Sequence, residues 1–371
     1  MSLTSRFTVA QILPALTTGG VERGTIDLSK ELIKRNFQPI IISAGGDLES
    51  NLEGTGIKHI RLDVGHKGIS TFFLVKKLSE IFLAEKVNIV HARSRLPAWI
   101  SRMALSRIKG SKKIAWITTV HGPYTVNFYS RIMTSGDKVI AVSNFICDYI
   151  EANYNINRDR IITIPRGVDV NSYYPSFKPD KSWFNSNKHL EKLISNKPIL
   201  TLAGRLTSWK GQEAFLNLLY RLKQKGVDFH GLVVGGAHNK KDSYHNFLTE
   251  RTGQLGLTSS VTFLGNRQDI KQILSVSTIT FSLTSKPEAF GRTTAESLSL
   301  GTPVIGYNHG GTGEILRKWF PAGLVEPLNI AQAEKKVVIF LNSPPKVPPN
   351  NPFPLQTMLD KTIELYKKMH Y

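Results

Sequence analysis

Thr278-Ile-Thr-Phe-Ser-Leu-Thr284 runs directly into Ser285-Lys-Pro-Glu288-Ala-Phe-Gly291-Arg-Thr-Thr-Ala-Glu296, and the reading of the whole chain turns on this stretch. The β-branched and aromatic content of 278–284 suits a strand buried on both faces of a parallel sheet. Pro287 has no amide to donate, so the strand ends near Ser285. From about Arg292 to Leu300 the pattern is helical, and Gly301-Thr-Pro303 stops it. A second strand, Val304-Ile-Gly-Tyr307, then leads into the glycine loop His309-Gly-Gly-Thr-Gly-Glu314. The order is strand, loop, helix, strand. In open α/β sheets ligands bind at the carboxyl ends of strands, where helix N-termini present free amides to phosphate. Gly291 lets a ligand approach the backbone closely there. Glu288 precedes that terminus and Glu296 lies inside the helix. On spacing alone two readings stay open: solvated acids on a loop and a helix surface, or acceptors for sugar and ribose hydroxyls.

Outward from this stretch the same alternation repeats. Ile199-Leu-Thr-Leu-Ala203 opens a strand, followed by Gly204-Arg205-Leu-Thr-Ser-Trp-Lys210-Gly211 and a helix from Gln212 to Gln224. Arg205 and Lys210 read either as a cationic pair for a diphosphate or as solvated loop cations. Further strands cover Phe229 to Gly236 and Val261 to Gly265, the latter entering the loop Asn266-Arg267-Gln-Asp269.

In the first half, strand-like runs at Phe7–Leu13, Pro39–Ser43, Ile57–Leu62, Val87–His91, Ile114–His121 and Lys138–Ser143 alternate with helices over Val21–Lys34, Ile69–Glu85 and Asn144–Tyr154. The 69–85 helix takes its apolar positions from residues such as Phe72, Phe73, Val75 and Leu78. Gly19-Gly20 marks the first strand-to-helix turn. Arg93, Arg95 and Tyr124 lie on strand-end loops, where they are candidates for an acidic acceptor or simply for solvation. This pattern predicts an α/β chain of doubly wound parallel sheets. The expected division is 1–170, a linker with a connecting helix at 171–197, a second domain at 198–345, and a Pro-rich crossover with a terminal helix at 346–371.

The chain has 371 residues, enough for two domains, with 41% apolar residues. A single cysteine, Cys147, excludes an internal disulfide and a cysteine-based zinc site. The N-terminus runs straight into a strand without a leader pattern, and nothing approaches the 18 or so apolar residues of a membrane span. The expectation is a cytoplasmic protein, at the inner face of the cytoplasmic membrane. The net charge of +20 attracts an anionic partner. Without a zinc finger, an RNA-binding signature or an arginine-rich tail, an anionic membrane surface or a lipid-linked acceptor is favoured over nucleic acid.

Pro-Glu-Ala-Phe-Gly-Arg-Thr-Thr-Ala-Glu, then Ser-Leu-Ser-Leu-Gly-Thr-Pro-Val-Ile and Gly-Gly-Thr-Gly-Glu, resembles the C-terminal signature of retaining GT-B glycosyltransferases of the family-4 type, the glycosyl transferases group 1. Gly-Arg-Leu-x-x-x-Lys-Gly at 204–211 is similar to that family's phosphate segment. The likeness covers nearly the whole chain and is densest from Gly204 to Glu314. It implies two Rossmann-like domains facing across a cleft, with the last helix returning to the first. The family pattern then places Glu288 and His121 against the donor sugar, Glu296 on the ribose, and Arg205 and Lys210 on the diphosphate. Ala289, Phe290, Gly291, Arg292 and Thr293 would surround the donor through backbone amides, Arg267 would mark the base-reading loop, and Gly19 and Gly20 would lie near the phosphates. Gly310, Gly311 and Thr312 are expected to form a tight turn under the site. Ser143 and Pro-Arg-Gly-Val-Asp169 also match family segments, with Arg166 standing where Asn is common.

The resemblance implies transfer of a hexose from a nucleotide diphosphate sugar to an acceptor hydroxyl, with attack on the face the leaving group departs from and no protein nucleophile. No Asp-x-Asp metal motif occurs, so a metal-independent site without a cofactor is expected. Ile89-Val-His-Ala-Arg-Ser-Arg95 and His121-Gly-Pro-Tyr124 are similar to bacterial envelope glycosyltransferases, which implies a lipid-linked saccharide such as a lipopolysaccharide core as acceptor. Competing readings are a sugar-nucleotide epimerase of the same fold and a basic scaffold for anionic lipid or nucleic acid.

Overall fold

The computed structural model describes residues 7–17, 19–66, 68, 71–109, 113–236 and 243–369. It divides into two compact units: residues 1–165 with 356–371, and residues 166–355.

The first unit is built on β1 (Thr8–Ile12), α1 (Gly20–Lys34), β2 (Gln38–Ser43), β3 (Lys58–Arg61), α2 (Thr71–Ala84), β4 (Ile89–Ala92), α3 (Arg95–Arg107), β5 (Ala115–Val120), α4 (Phe128–Arg131), β6 (Lys138–Ala141), α5 (Asn144–Asn153) and β7 (Ile161–Thr163). All seven strands are parallel, in the order β3-β2-β1-β4-β5-β6-β7. The order reverses direction beside β1, as in a doubly wound sheet. Continuous burial explains why these strands read as apolar runs: all of β1, β4 and β5 is buried. Ile69 and the side chain of Phe72, read as part of an amphipathic helix, lie outside the described residues.

The second unit contains α6 (Lys181–Ser186), α7 (Lys188–Asn196), β8 (Ile199–Ala203), α8 (Gln212–Gln224), β9 (His230–Val234), α9 (Ser243–Gln254), β10 (Val261–Gly265), α10 (Ile270–Ser275), β11 (Ile279–Ser282), α11 (Arg292–Ser299), β12 (Val304–Tyr307), α12 (Gly310–Trp319), β13 (Leu324–Val325) and α13 (Ile330–Asn342). Its six parallel strands run β10-β9-β8-β11-β12-β13. The Ser-, Asn- and Lys-rich segment after 170, expected to be a linker, is part of this unit. Asp180 caps α6 by accepting from the Trp183 amide at 2.8 Å. Trp183 and Leu190 then pack with Ile199, Leu232, Val234 and Ile273 under the sheet. Apolar residues at helical spacing were hidden there by polar neighbours.

From Ser343 to Pro354 no helix forms, as the prolines require. This stretch is pinned to the second unit: Trp319 Nε1 donates to the Pro348 carbonyl, the Val168 amide donates to the Phe353 carbonyl, and the Leu355 amide donates to the Val168 carbonyl. The terminal helix α14 (Leu355–Lys368) rejoins the first unit from residue 356 on. There Tyr366 is fully buried with its hydroxyl 2.5 Å from His91 Nδ1, and Asp360 pairs with Arg35.

Candidate active site

In the second unit, the predicted donor residues cluster at the carboxyl ends of β8 and β11. The loop after β8 turns tightly, Lys210 N donating to the Thr207 carbonyl at 2.9 Å. Gly211 then starts α8 with φ +86°, and a Cβ there would lie 2.1 Å from the Leu283 carbonyl oxygen. Only glycine permits that left-handed conformation and that approach of the two loops. Ser285 N donates to the Trp209 carbonyl at 2.9 Å, closing the seam. As a result Lys210 Nζ lies 2.5 Å from Glu288 Oε1 and 4.3 Å from the centre of the Trp209 ring. Lys210 and Glu288 are each largely covered, with side chains 18% and 19% exposed.

The segment Pro287–Gly291 rests on the start of α12. Gly311 N donates to the Glu288 carbonyl at 2.7 Å, and a Cβ on Gly311 would come within 2.3 Å of Phe290 Cα. Gly310 is equally confined, with φ +53° and the Glu288 carbonyl 2.6 Å from a would-be Cβ. The expected tight turn of Gly310-Gly311-Thr312 is therefore the first turn of a helix. Glycines are required because the helix end meets another backbone with no side chain between. Gly291 caps α11 at φ +90°, beside Thr312, and leaves the first amides of that helix without an intrahelical acceptor.

Glu296 is not a helix-surface acid: it is buried at 6% exposure, and Arg292 Nε holds its Oε1 at 2.7 Å. A carboxylate has four acceptor positions, so this pair leaves it able to take further hydroxyls. Arg205 is exposed on its loop, while its carbonyl accepts from Gln212 Nε2 at 2.9 Å. Ala289, Phe290 and Thr293 complete the stretch between the carboxylates, with Phe290 buried against Phe353, ring centres 5.6 Å apart.

The Arg267 side chain is held by partners within its own unit. Its guanidinium donates to both oxygens of Asp269 and to Asn187 Oδ1 at 2.7 Å. Burial works against the charge on Asp269, but Arg267 and Trp183 hold its carboxyl below the usual aspartate range. Sequence reading passed over Trp209 and over His309, whose Nε2 sits 2.9 Å from the Thr284 carbonyl. Burial pushes His309 below the ordinary histidine value, opposed by that carbonyl and by Glu288.

In the first unit, Gly19 and Gly20 begin α1, and the Glu22 carboxylate folds back over Gly19, 2.2 Å from where a Cβ would be. The α1 terminus thus carries its own anion. His121 follows β5, and its amide donates to the Tyr124 hydroxyl at 3.3 Å. Arg95 is the first residue of α3, its guanidinium carbon 5.0 Å from the Tyr124 ring centre and 5.2 Å from that of Tyr129. Arg93, expected on an accessible loop, is interior at 5% exposure. It donates twice to Gln11 Oε1, at 3.0 and 2.5 Å. Burial lowers its pKa, with Tyr366 and Asp27 opposing the shift. The turn that β4 makes into α3 points Arg93 inward beside β1, a placement its loop position does not reveal.

Two family models match this chain. Residues 18–172 match Glycosyltransferase Family 4, and residues 184–350 match Glycosyl transferases group 1. The chain belongs to the group 1 glycosyltransferases and has their GT-B fold of two Rossmann-like domains; it is a transferase. A glycosyltransferase from Rickettsia africae is 33% identical, with a TM-score of 0.85 over 98% of this chain and 99% of that one. Anabaena HepE, solved with UDP and glucose, is 20% identical with a TM-score of 0.82 over 98% and 100%. Among curated relatives, a glycosyltransferase of Methanocaldococcus jannaschii is 24% identical over 82% of this chain and 80% of its own length. Mannosylfructose-phosphate synthase of Agrobacterium fabrum is 30% identical over 50% of this chain, and the match spans 42% of that enzyme. Among the described residues no helix is long and apolar enough to cross a membrane.

Proposed function

We propose that the protein transfers a hexose, with retention at the anomeric carbon, from a nucleoside diphosphate sugar to the hydroxyl of a lipid-linked saccharide in envelope or lipopolysaccharide synthesis. The observation that carries this reading is the Lys210–Glu288 pair beside the α11 terminus. Without ligand, each charge satisfies the other. A diphosphate entering against the α11 amides draws Lys210 from carboxylate to phosphate, and Glu288 then becomes an acceptor for sugar hydroxyls. Glu296, anchored by Arg292, takes the ribose. Arg205 adds a second cation to the leaving diphosphate.

Charge growing on the phosphate as the glycosidic bond breaks is met by Lys210, Arg205 and the helix amides, so neither a divalent ion nor a cofactor is assigned a role. The departing phosphate oxygen takes the acceptor proton, which leaves no covalent step for Glu288. In the first unit His121 is assigned to the sugar, and Arg95 with Tyr124 to the acceptor. Support for the donor comes from HepE, solved with UDP, with UDP and glucose, and with UDP-glucose. Support for the acceptor comes from WaaB, a lipopolysaccharide outer core galactosyltransferase, and WaaG, a glycosyltransferase of lipopolysaccharide biosynthesis. Both have TM-scores near this fold, 0.66 and 0.67. The positive charge adds peripheral attachment to the inner face of the cytoplasmic membrane.

The test is thermal stability with UDP, GDP, ADP and CMP, comparing wild type with Glu296→Ala and Lys210→Ala. A ligand at a hundred times its Kd stabilises the native state by about 2.7 kcal/mol. One diphosphate should raise the wild-type midpoint and leave both variants unmoved. If none does, in folded protein, the donor site is wrongly assigned.

A further inference from the structure

Between Glu85 and Asp137 the chain contains no Asp or Glu, yet it contains nine Lys and Arg. This run builds β4, α3, β5 and α4 of the first unit. Its cations therefore lack local carboxylates and keep their attraction for an external anion. Arg93 is the exception already described, since it is interior. Arg102, Arg107 and Arg131 are exposed.

Apolar side chains stand among them. Phe128 is 76% exposed, Val126 49% and Met103 36%. Their placement is set by structure: Asn127 caps α4 by accepting from the Ser130 amide at 2.8 Å, which fixes Phe128 at the first helical position. Phe128 lies on the Trp99 ring, centres 5.1 Å apart, and Trp99 Nε1 is tied to the Tyr129 carbonyl at 3.0 Å. Trp99, Arg102 and Met103 share the outer face of α3, three and four residues apart. Arg131 follows Phe128 by one turn of α4. A single exposed hydrophobe needs no explanation, but aromatic and aliphatic groups exposed within one run of cations without carboxylates do.

We infer that this face, α3 with the segment 122–131, is a docking surface for an anionic lipid bilayer. Apolar side chains enter the boundary between head groups and acyl chains, while the arginines meet the lipid phosphates. Trp99 has the character of an interfacial anchor, apolar in body with one polar edge already satisfied. Phe128 offers a base a ring to stack on, but the exposed aliphatic Val126 and Met103 do not, whereas acyl chains accept all three. The same segment leaves β5 at His121 and Tyr124, so a membrane held here brings lipid head groups to the strand end assigned to the acceptor. In that respect the inference rests on the lipid-linked acceptor proposed above; bilayer binding itself does not depend on the donor chemistry.

The experiment is flotation of the full chain with vesicles of phosphatidylcholine alone or mixed with phosphatidylglycerol, without donor or acceptor. Wild type is compared with Phe128→Ser/Val126→Ser and with Arg102→Glu/Arg131→Glu. Wild type should float only with the anionic vesicles, less as salt rises. Each double variant should partition roughly tenfold more weakly or worse, from lost apolar burial in one and lost charge in the other. The thermal midpoint and its response to the nucleotide panel should match wild type in both, which separates this surface from the donor site. Failure of wild type to float, variants that float like wild type, or binding of single-stranded DNA in place of vesicles would each overturn the inference. A nucleotide panel that stabilises nothing would count against the proposed reaction while leaving the vesicle result to stand alone.

Discussion

The loop that leaves β11 and the loop that leaves β5 each start at the carboxyl end of an interior strand of a parallel sheet, but they are built differently. The β11 loop is closed by backbone. Gly211, Gly291, Gly310 and Gly311 let three chain segments touch without side chains between them, and this holds Lys210 against Glu288. The β5 loop is closed by side chains: Arg95 lies between two tyrosine rings, and the Tyr149 hydroxyl donates to the Tyr124 carbonyl. The first arrangement is set by main-chain contacts and matches the nucleotide diphosphate proposed for it. The second is set by aromatic and cationic side chains and matches the acceptor proposed for it.

Several measurements would break or sharpen that contrast. The largest stability effect should come from Trp183→Ala, at about 3–5 kcal/mol, because Trp183 fills the space between α6 and the second sheet and bonds Asp269. Chemical denaturation of the variant checks it, and a loss under 1 kcal/mol would show that the 171–197 region is after all a loose connector. Lys210→Ala should lower kcat a hundred- to thousandfold, about 3–4 kcal/mol, with the fold intact. A variant that changed only the acceptor KM would contradict the donor role.

Gly291→Ala should cost about 1–3 kcal/mol through its left-handed backbone and its contact with Thr312, and should weaken nucleotide binding in the same protein. Gly122→Ala, where a Cβ meets nothing within 4 Å, should be nearly silent in stability. Equal effects at the two glycines would erase the distinction between a backbone-built and a side-chain-built loop.

Arg95→Ala is expected to raise the acceptor KM about tenfold while leaving the nucleotide-induced thermal shift unchanged. Smallest should be the effect of mild acid. His230 and His309 both have pKa values pushed below 6.5, chiefly by burial, so the folded state holds them neutral while the unfolded chain protonates more readily. Their contribution to stability is present above pH 6.5 and is lost as pH falls below it toward their folded values. A thermal midpoint that rose between pH 7 and 5.5 would show that the sign is wrong.

The two loops also differ in how much of them could be read without coordinates. Glu288, Glu296, Arg205 and Lys210 were singled out by their likeness to the family's motifs, since spacing alone left solvated loop and surface charges equally open; the structure adds that Lys210 meets Glu288 and that Glu296 is buried. The α/β alternation was equally plain, since strands buried on both faces must be apolar runs and the helices between them must alternate. Arg93 was misplaced because a loop position fixes where a Cα is, not where seven side-chain atoms go. The glycines at 310 and 311 were taken for a turn because nothing local says that a second backbone lies against them.

By itself, then, the sequence determined two parallel sheets, the order of their strands along the chain and the chemical types gathered at the loop after β11. These follow from local periodicity and from backbone conformations only glycine can adopt. Tertiary structure alone decided that 171–197 is packed against a sheet, that Arg93 is interior and that Lys210 faces Glu288. Each of these depends on contacts between residues distant in the chain, and such contacts leave no periodic trace in the residues that make them.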